Sequence, residues 1–302
     1  MSPGTNPARG HEQRGRALFL LAVGVLSVGA AAILVRLANA HPLTASWVRL
    51  AIGGAVLFTV VVVTRRPLPR GPDLQRAVVA GVLLAAHFGL WIGSLSLTTV
   101  TASVVLVCLQ PVMVVGGGAV LLGEHLQRRT LAGIAVAMVG AFIIASDVPA
   151  DVPGLPGALR GGTDPILGNG LALAGAVAIA AYVLVLRDQG GDVLATSAVI
   201  TTTAALTVLP VAIAVGAPLW PGDTTTAMWL LALAIGPQVI GHTALNAALR
   251  RLPAAVVSGS ILGEPVIASF LALVVLDEHA GWATVAGSIV TLTGVWVLTR
   301  RH

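Results

Sequence analysis

Apolar runs about as long as a bilayer is thick follow one another along nearly the whole chain, and they dictate its solvent. They cover 17–38, 43–64, 76–97, 100–122, 130–146, 167–186, 193–215, 226–249, 253–276 and 281–299. A helix needs about 20 such residues to cross the hydrocarbon core. Of 302 residues, 56% are apolar and 10% charged, whereas a soluble domain is about 25% charged. A water-soluble globular fold is excluded. The expectation is an all-α integral membrane protein of ten transmembrane helices, with the lipid bilayer as its first partner.

Arginines orient the runs. Alternate connections and the two ends hold 14 of the 17 basic residues, including Arg65, Arg66, Arg128, Arg129, Arg187, Arg250, Arg251, Arg300 and Arg301. Basic loops stay on the cytoplasmic side, so both termini are expected in the cytoplasm, across the inner cell membrane. That requires an even number of spans, which ten satisfies. The net charge of +5 is scattered over these clusters and forms no continuous basic face, so no nucleic-acid partner is expected. The single cysteine, Cys108, lies inside an apolar run. No zinc-type Cys/His spacing, phosphate-cradling glycine loop or Gly-x-Ser-x-Gly elbow is present. The expectation is a protein with no metal and no cofactor that is not an enzyme.

Residues 1–16 are polar and rich in Gly, Pro and Arg, and read as a disordered cytoplasmic head. Residues 147–166, with Asp147, Pro149, Asp151, Pro153, Pro156 and Asp164, read as an external linker between two sets of five spans, 17–146 and 167–300. The two sets are copies. A shift of 154 residues lays Pro111 on Pro265, Glu124-His125 on Glu278-His279, Thr130 on Thr284, Gly133 on Gly287 and Gly140 on Gly294. Five is odd, so the second copy enters the membrane inverted. Charge agrees: Arg128 and Arg129 follow the first Glu-His, whereas Gly281 and Trp282 follow the second. Inverted repeats with a site at their interface are a recurring plan of secondary transporters.

Gln110-Pro111…Leu122-Gly123-Glu124 with Gly133 and Gly140, and its echo Glu264-Pro265…Asp277-Glu278 with Gly287 and Gly294, resemble the EamA domain of the drug/metabolite transporter superfamily. His41-Pro42 with Trp47 and Arg49 is similar to the start of that domain. The resemblance spans about residues 17–300. It implies a ten-helix exporter-like carrier of amino acids, small metabolites or drugs, with a cavity between the halves. One position breaks the match between copies: Gln110 stands where the second copy has Glu264, and that asymmetry bears on ion coupling.

Glu264 is the most informative residue. It lies about eleven residues into its run, roughly 16 Å deep at 1.5 Å per residue. An acid there costs about 2.5–3.5 kcal/mol on insertion scales and usually faces a cavity. It reads as a proton acceptor or as a counter-charge for a cationic substrate, against the plainer reading of a hydrogen-bonded helix contact. Pro265 and Pro111 remove intrahelical bonds and free the carbonyls of Ile261 and Val107; Pro237 frees that of Leu233. A simple packing kink is the alternative for each. His87 and Trp91 share a helix face as a candidate cavity wall, unless His87 bonds a neighbouring helix. His242 and Asn246 are a second such pair, with headgroup contact or helix-to-helix bonding as the competing account. For Arg49 the simplest reading is outward snorkelling or structural pairing, and the alternative is a substrate carboxylate. Glu124 and Glu278 read as structural, and the glycines as packing sites.

With no nucleotide-binding motif, a carrier must draw on a gradient. The reading is therefore a secondary transporter exporting a small-molecule substrate by alternating access, with protons as the candidate coupling ion. The alternatives are an uncoupled facilitator, a membrane enzyme or a structural membrane protein. The oligomeric state is not written in the sequence.

Overall fold

The computed structural model describes residues 7–94, 97–98, 103, 106–123, 127–146, 164–276 and 281–300. Helix occupies all ten expected positions, with no strand among the described residues. The first span is α1 (Pro7–Gly29) and α2 (Ala31–Ala38); α3 (Pro42–Val63) and α4 (Pro72–Ser94) follow. Then come α5 (Gln110–Leu122) and α6 (Arg128–Ser146), which close the first copy. The second copy holds α7 (Pro165–Leu186) and α8 (Val193–Val215). Its eighth span has three parts: α9 (Thr224–Leu233), a π-helical stretch (Ala234–His242) and α10 (Thr243–Leu249). The ninth is α11 (Ala254–Ser260), a 3-10 turn (Ile261–Gly263) and α12 (Glu264–Leu276), and the tenth is α13 (Trp282–Thr299). Eight of these stretches are long and apolar enough to cross a bilayer individually; α5 and α6 supply the other two.

The residues at the ends explain where helices start. Pro42, Pro72 and Pro165 open α3, α4 and α7, where a missing N–H costs nothing. Asp164, Asp192 and Asp223 cap α7, α8 and α9 by accepting from the amides of Leu167, Ala195 and Thr226 at 3.1, 2.9 and 2.9 Å, each satisfying an otherwise orphaned donor. Asn39, at φ 45°, ends α2 in the left-handed conformation that asparagine tolerates.

Residues 7–16 correct the expectation of a disordered head, because they continue α1. Ala8, Glu12, Gln13 and Arg14 are strong helix formers, and Arg14 Nη2 donates to the carbonyls of Thr299 at 3.1 Å and Arg300 at 3.2 Å. The start of the first span therefore sits beside the end of the tenth. Glu124, His125, Glu278, His279 and the centre of the 147–166 linker lie outside the described residues.

The repeat register reappears as a pseudo-two-fold packing scheme. Where α6 crosses α13, a Cβ on Gly140 would stand 2.6 Å from the carbonyl oxygen of Gly287, and one on Gly287 would stand 2.7 Å from that of Gly140. Gly133 meets Gly294 in the same way, at 3.1 Å from its oxygen. These are exchanged equivalents: Gly133 corresponds to Gly287 and Gly140 to Gly294. At the centre, Thr291 Oγ1 donates to the carbonyl of Ala137, its own equivalent, at 3.4 Å. Spans two and seven make another self-matched contact, with Gly54 against Thr202. The third span packs on the sixth as the eighth packs on the first. Lipid supplies no hydrophobic drive for helices to associate, so small residues that bring backbones together take over that work. The expectation that glycines serve packing, made for Gly116, Gly117, Gly118, Gly133 and Gly140, agrees with the contacts at Gly117, Gly133 and Gly140 and not at Gly116, where a Cβ would meet nothing within 4 Å.

At one end of the bundle the arginine-bearing connections interlock. Arg66 Nη1 pairs with Asp192 Oδ2 at 2.7 Å, Arg76 with Asp73 at 3.1 Å, and Arg250 donates to Gly191 O and Thr196 Oγ1. Partial burial of Asp192 raises its carboxyl pKa, but the Ala195 amide and the Arg66 guanidinium outweigh this and hold it below the ordinary value. A carboxyl lowered on folding stabilises at pH above its unfolded value of about 3.9 and loses that contribution as pH falls through the folded one. The difference in Tm between wild type and Asp192→Asn in detergent is therefore expected to be largest near neutral pH and to shrink below about pH 4. In the helix crossing, Gly140→Ala is expected to cost about 1–3 kcal/mol through overpacking. Gly116→Ala, where a Cβ meets nothing within 4 Å, serves as the neutral control in the same thermal melts.

Candidate functional site

Both fourth-span equivalents break at the same place. Proline has no N–H and its ring clashes with the carbonyl four residues back, so α5 starts at Gln110-Pro111 and α12 at Glu264-Pro265, the latter after the 3-10 turn. Each break turns a mid-span side chain into a helix-start side chain. An acid in a helix's first turn is favoured by the helix dipole, which suits Glu264.

A cavity of about 160 Å³ lies between the copies. Glu264, His87, Trp91, Gln110, His242, Asn246 and Arg49 all border it, as do Pro111 and Pro265. Residues matched by the repeat line it in pairs: Gln110 and Glu264, Val28 and Tyr182, Val107 and Ile261, Trp91 and Leu245. Phe88 and its equivalent His242 touch edge to face, with ring centroids 5.6 Å apart at 87°. The cavity straddles the pseudo-two-fold axis.

His87 and Trp91 stack with centroids 5.9 Å apart and planes 6° from parallel. His87 Nδ1 lies 2.9 Å from the carbonyl of Gly175 on α7. A carbonyl can only accept, so Nδ1 carries the proton there. His87 thus borders the cavity and bonds a neighbouring helix at once. His242 lines the cavity against Phe88, and this replaces headgroup contact as its setting. Asn246 borders the cavity while its amide is engaged: Tyr182 Oη donates to Oδ1 at 2.7 Å, and Nδ2 donates to Ser197 Oγ at 3.2 Å.

Arg49 does not snorkel. It is 1% exposed, with Nη2 donating to Gln238 Oε1 at 3.0 Å and Cζ 4.0 Å above the Phe88 ring. Gln238 in turn donates to Thr201 Oγ1 at 3.3 Å. Among the described residues no ion pair joins Arg49 to Glu264, although both border the cavity.

Pro237 is a second correction. It is buried inside the π-helical stretch and does not border the cavity. Widening the helix around a residue without an N–H absorbs the lost bond locally. The same stretch carries Gln238, the partner of Arg49, and ends at His242.

Sequence reasoning passed over Gln238, Phe88 and Tyr182. The 154-residue shift contained a signal for two of them, since it pairs Phe88 with His242 and Tyr182 with Val28. Gln238, an amide mid-run beside a proline, was visible as a polar intrusion.

A family model described as the EamA-like transporter family matches residues 15–146 and again 166–300. The chain belongs to the EamA-like transporter family. The two matched stretches of this EamA protein are its two inverted repeats, and the multi-pass helical architecture follows from them. A solved crystal structure is similar over 94% of this chain and 97% of its own, with TM-score 0.79 and 18% identity; at that identity it shows the fold alone. No curated protein matches the sequence at significant similarity.

Removing the Arg49 partner leaves a buried cation without its hydrogen bond. Gln238→Leu is expected to cost about 1.5–3 kcal/mol, the range for bonds to charged groups, and the loss should appear as a lowered Tm of the purified protein.

Proposed function

We propose that this EamA protein is a secondary carrier of the cytoplasmic membrane, with both termini in the cytoplasm, that exports a small polar or amphipathic metabolite by alternating access. The observation that carries the reading is the cavity on the pseudo-two-fold axis, walled by matched residues of two inverted halves. Two such halves have two equivalent ways of tilting about one site, each closing one mouth. Glu264 is the proton-carrying group: a carboxylate beside the cavity, at the start of the helix that the Pro265 break creates, in the copy whose counterpart has the non-ionisable Gln110. Helix breaks near mid-span are tolerated where the freed backbone lines a cavity.

The test is transport in proteoliposomes under an imposed pH gradient. Glu264→Gln is expected to abolish gradient-driven flux while the Tm stays within a few degrees of wild type. Cysteines placed at cavity positions are expected to react from one face or the other depending on the gradient. Unchanged gradient-driven flux in Glu264→Gln removes the proton role and leaves an uncoupled facilitator. Labelling that never changes face removes the carrier reading altogether.

A further inference from the structure

Several N–H donors on the cavity wall are left without a partner. Among the described residues, Arg49 Nε and Nη1, Trp91 Nε1 and Gln110 Nε2 are buried without a hydrogen-bond partner. Every one is an N–H donor, and all three residues border the cavity. They come from three different spans, α3, α4 and α5, so no single local distortion leaves them bare. Buried polar groups are otherwise overwhelmingly satisfied, and a cluster of exceptions needs an explanation.

Arg49 is the costliest exception. An uncompensated cation in a low-dielectric interior is strongly unfavourable, and among the described residues one amide oxygen and one ring face meet it. Gln238 and Phe88 fix the guanidinium in place, and Gln238 is itself held by Thr201. That is how a recognition group is built: the head is oriented by neighbours while donors are left over. What satisfies surplus N–H donors is an acceptor-rich, negatively charged group, and guanidinium matches carboxylate geometry well.

The rest of the cavity limits the ligand further. Glu264 borders the same space, and among the described residues no side-chain hydrogen bond or ion pair engages its carboxylate, so a second, positive group on the ligand has a counter-charge there. A single guanidinium opposed by a carboxylate is poorly matched to a phosphate dianion and well matched to a molecule with one charge of each sign. Phe88, Trp91, Ile179 and Leu245 supply apolar and aromatic wall, which suits an uncharged side chain of moderate size.

We propose that Arg49, with Trp91 and Gln110, forms the donor wall that seats the carboxylate of a small zwitterionic substrate, whose ammonium group faces Glu264. This rests on the carrier reading above and names its substrate class. Arg49 is the specificity-determining residue: it selects for the carboxylate, whereas Glu264 selects for the amine.

The test uses the full-length protein in nanodiscs, with binding read by thermal shift and tryptophan fluorescence. The probes are L-phenylalanine, L-phenylalaninamide, phenethylamine and 3-phenylpropionate, so that each charge is removed in turn without changing the ring. L-phenylalanine is expected to bind at least tenfold more tightly than the amide or the amine. Arg49→Lys is expected to weaken L-phenylalanine by tenfold or more. Glu264→Gln is expected to weaken L-phenylalanine but leave 3-phenylpropionate unchanged. The wild-type series needs no variant to fold, so it decides the matter alone if Arg49→Lys is unstable. Amide or amine binding as tight as that of L-phenylalanine overturns the proposal, as does the absence of any shift with the carboxylate-bearing probes. Equal stabilisation by sodium chloride alone also overturns it, because the donors would then serve a simple anion. Counterflow of phenethylamine with none of L-phenylalanine overturns the carboxylate wall while the carrier reading stands. Failure of the face-switching labelling overturns the carrier reading instead.

Discussion

Hydrocarbon offers nothing to a hydrogen-bonding group, and this exclusion shapes the protein at every scale. It makes the backbone helical, because only a helix satisfies its own N–H and C=O groups within one segment. It leaves close packing rather than hydrophobicity as the main force between helices, which is why Gly140 and Gly287 meet backbone to backbone. It also restricts where a helix can break. The breaks at Gln110-Pro111 and Glu264-Pro265 both border the cavity. A break there exposes polar backbone to a pocket and not to lipid.

The pseudo-two-fold arrangement connects packing to function. Equivalent residues exchange partners across α6 and α13, and other equivalent residues line the same cavity. One geometric relation therefore produces both the rigid contact and the site. The site is not symmetric in chemistry, however. Gln110 corresponds to Glu264, Phe88 to His242 and Arg49 to Thr203. The fold supplies a balanced scaffold, and these substitutions give it a donor-rich side and an acidic side.

Much of this was legible in the sequence because membrane proteins write their constraints locally. Span number came from run length, the inversion from an odd number of spans per copy, and the relevance of Glu264 from the cost of an acid at that depth. All seven candidate site residues border one cavity, since ionisable and amide groups in mid-span have few other tolerable places to be. The misreadings have local causes too. For Arg49 the leading reading was snorkelling or structural pairing; its distance from the run's end allowed the first, but the acceptor that holds it, Gln238, is 189 residues away. Pro237 resembled the other two prolines in context, but its π-helical surroundings absorb the break without opening onto the cavity. The head was judged by its polar composition, although its residues favour helix and Arg14 finds carbonyls at the far end of the chain.

By itself, the sequence determined the solvent, the ten helical runs, the repeat and its inversion, since each depends on periodicity and composition along a short stretch. Only the tertiary structure decided which polar groups satisfy one another. Asn246 is occupied by Tyr182 and Ser197, while Arg49, Trp91 and Gln110 keep donors in reserve. The physical reason is that hydrogen bonding is a relation between distant partners at about 3 Å. No local pattern in the chain states which pairs will come that close, or which donors will be left waiting.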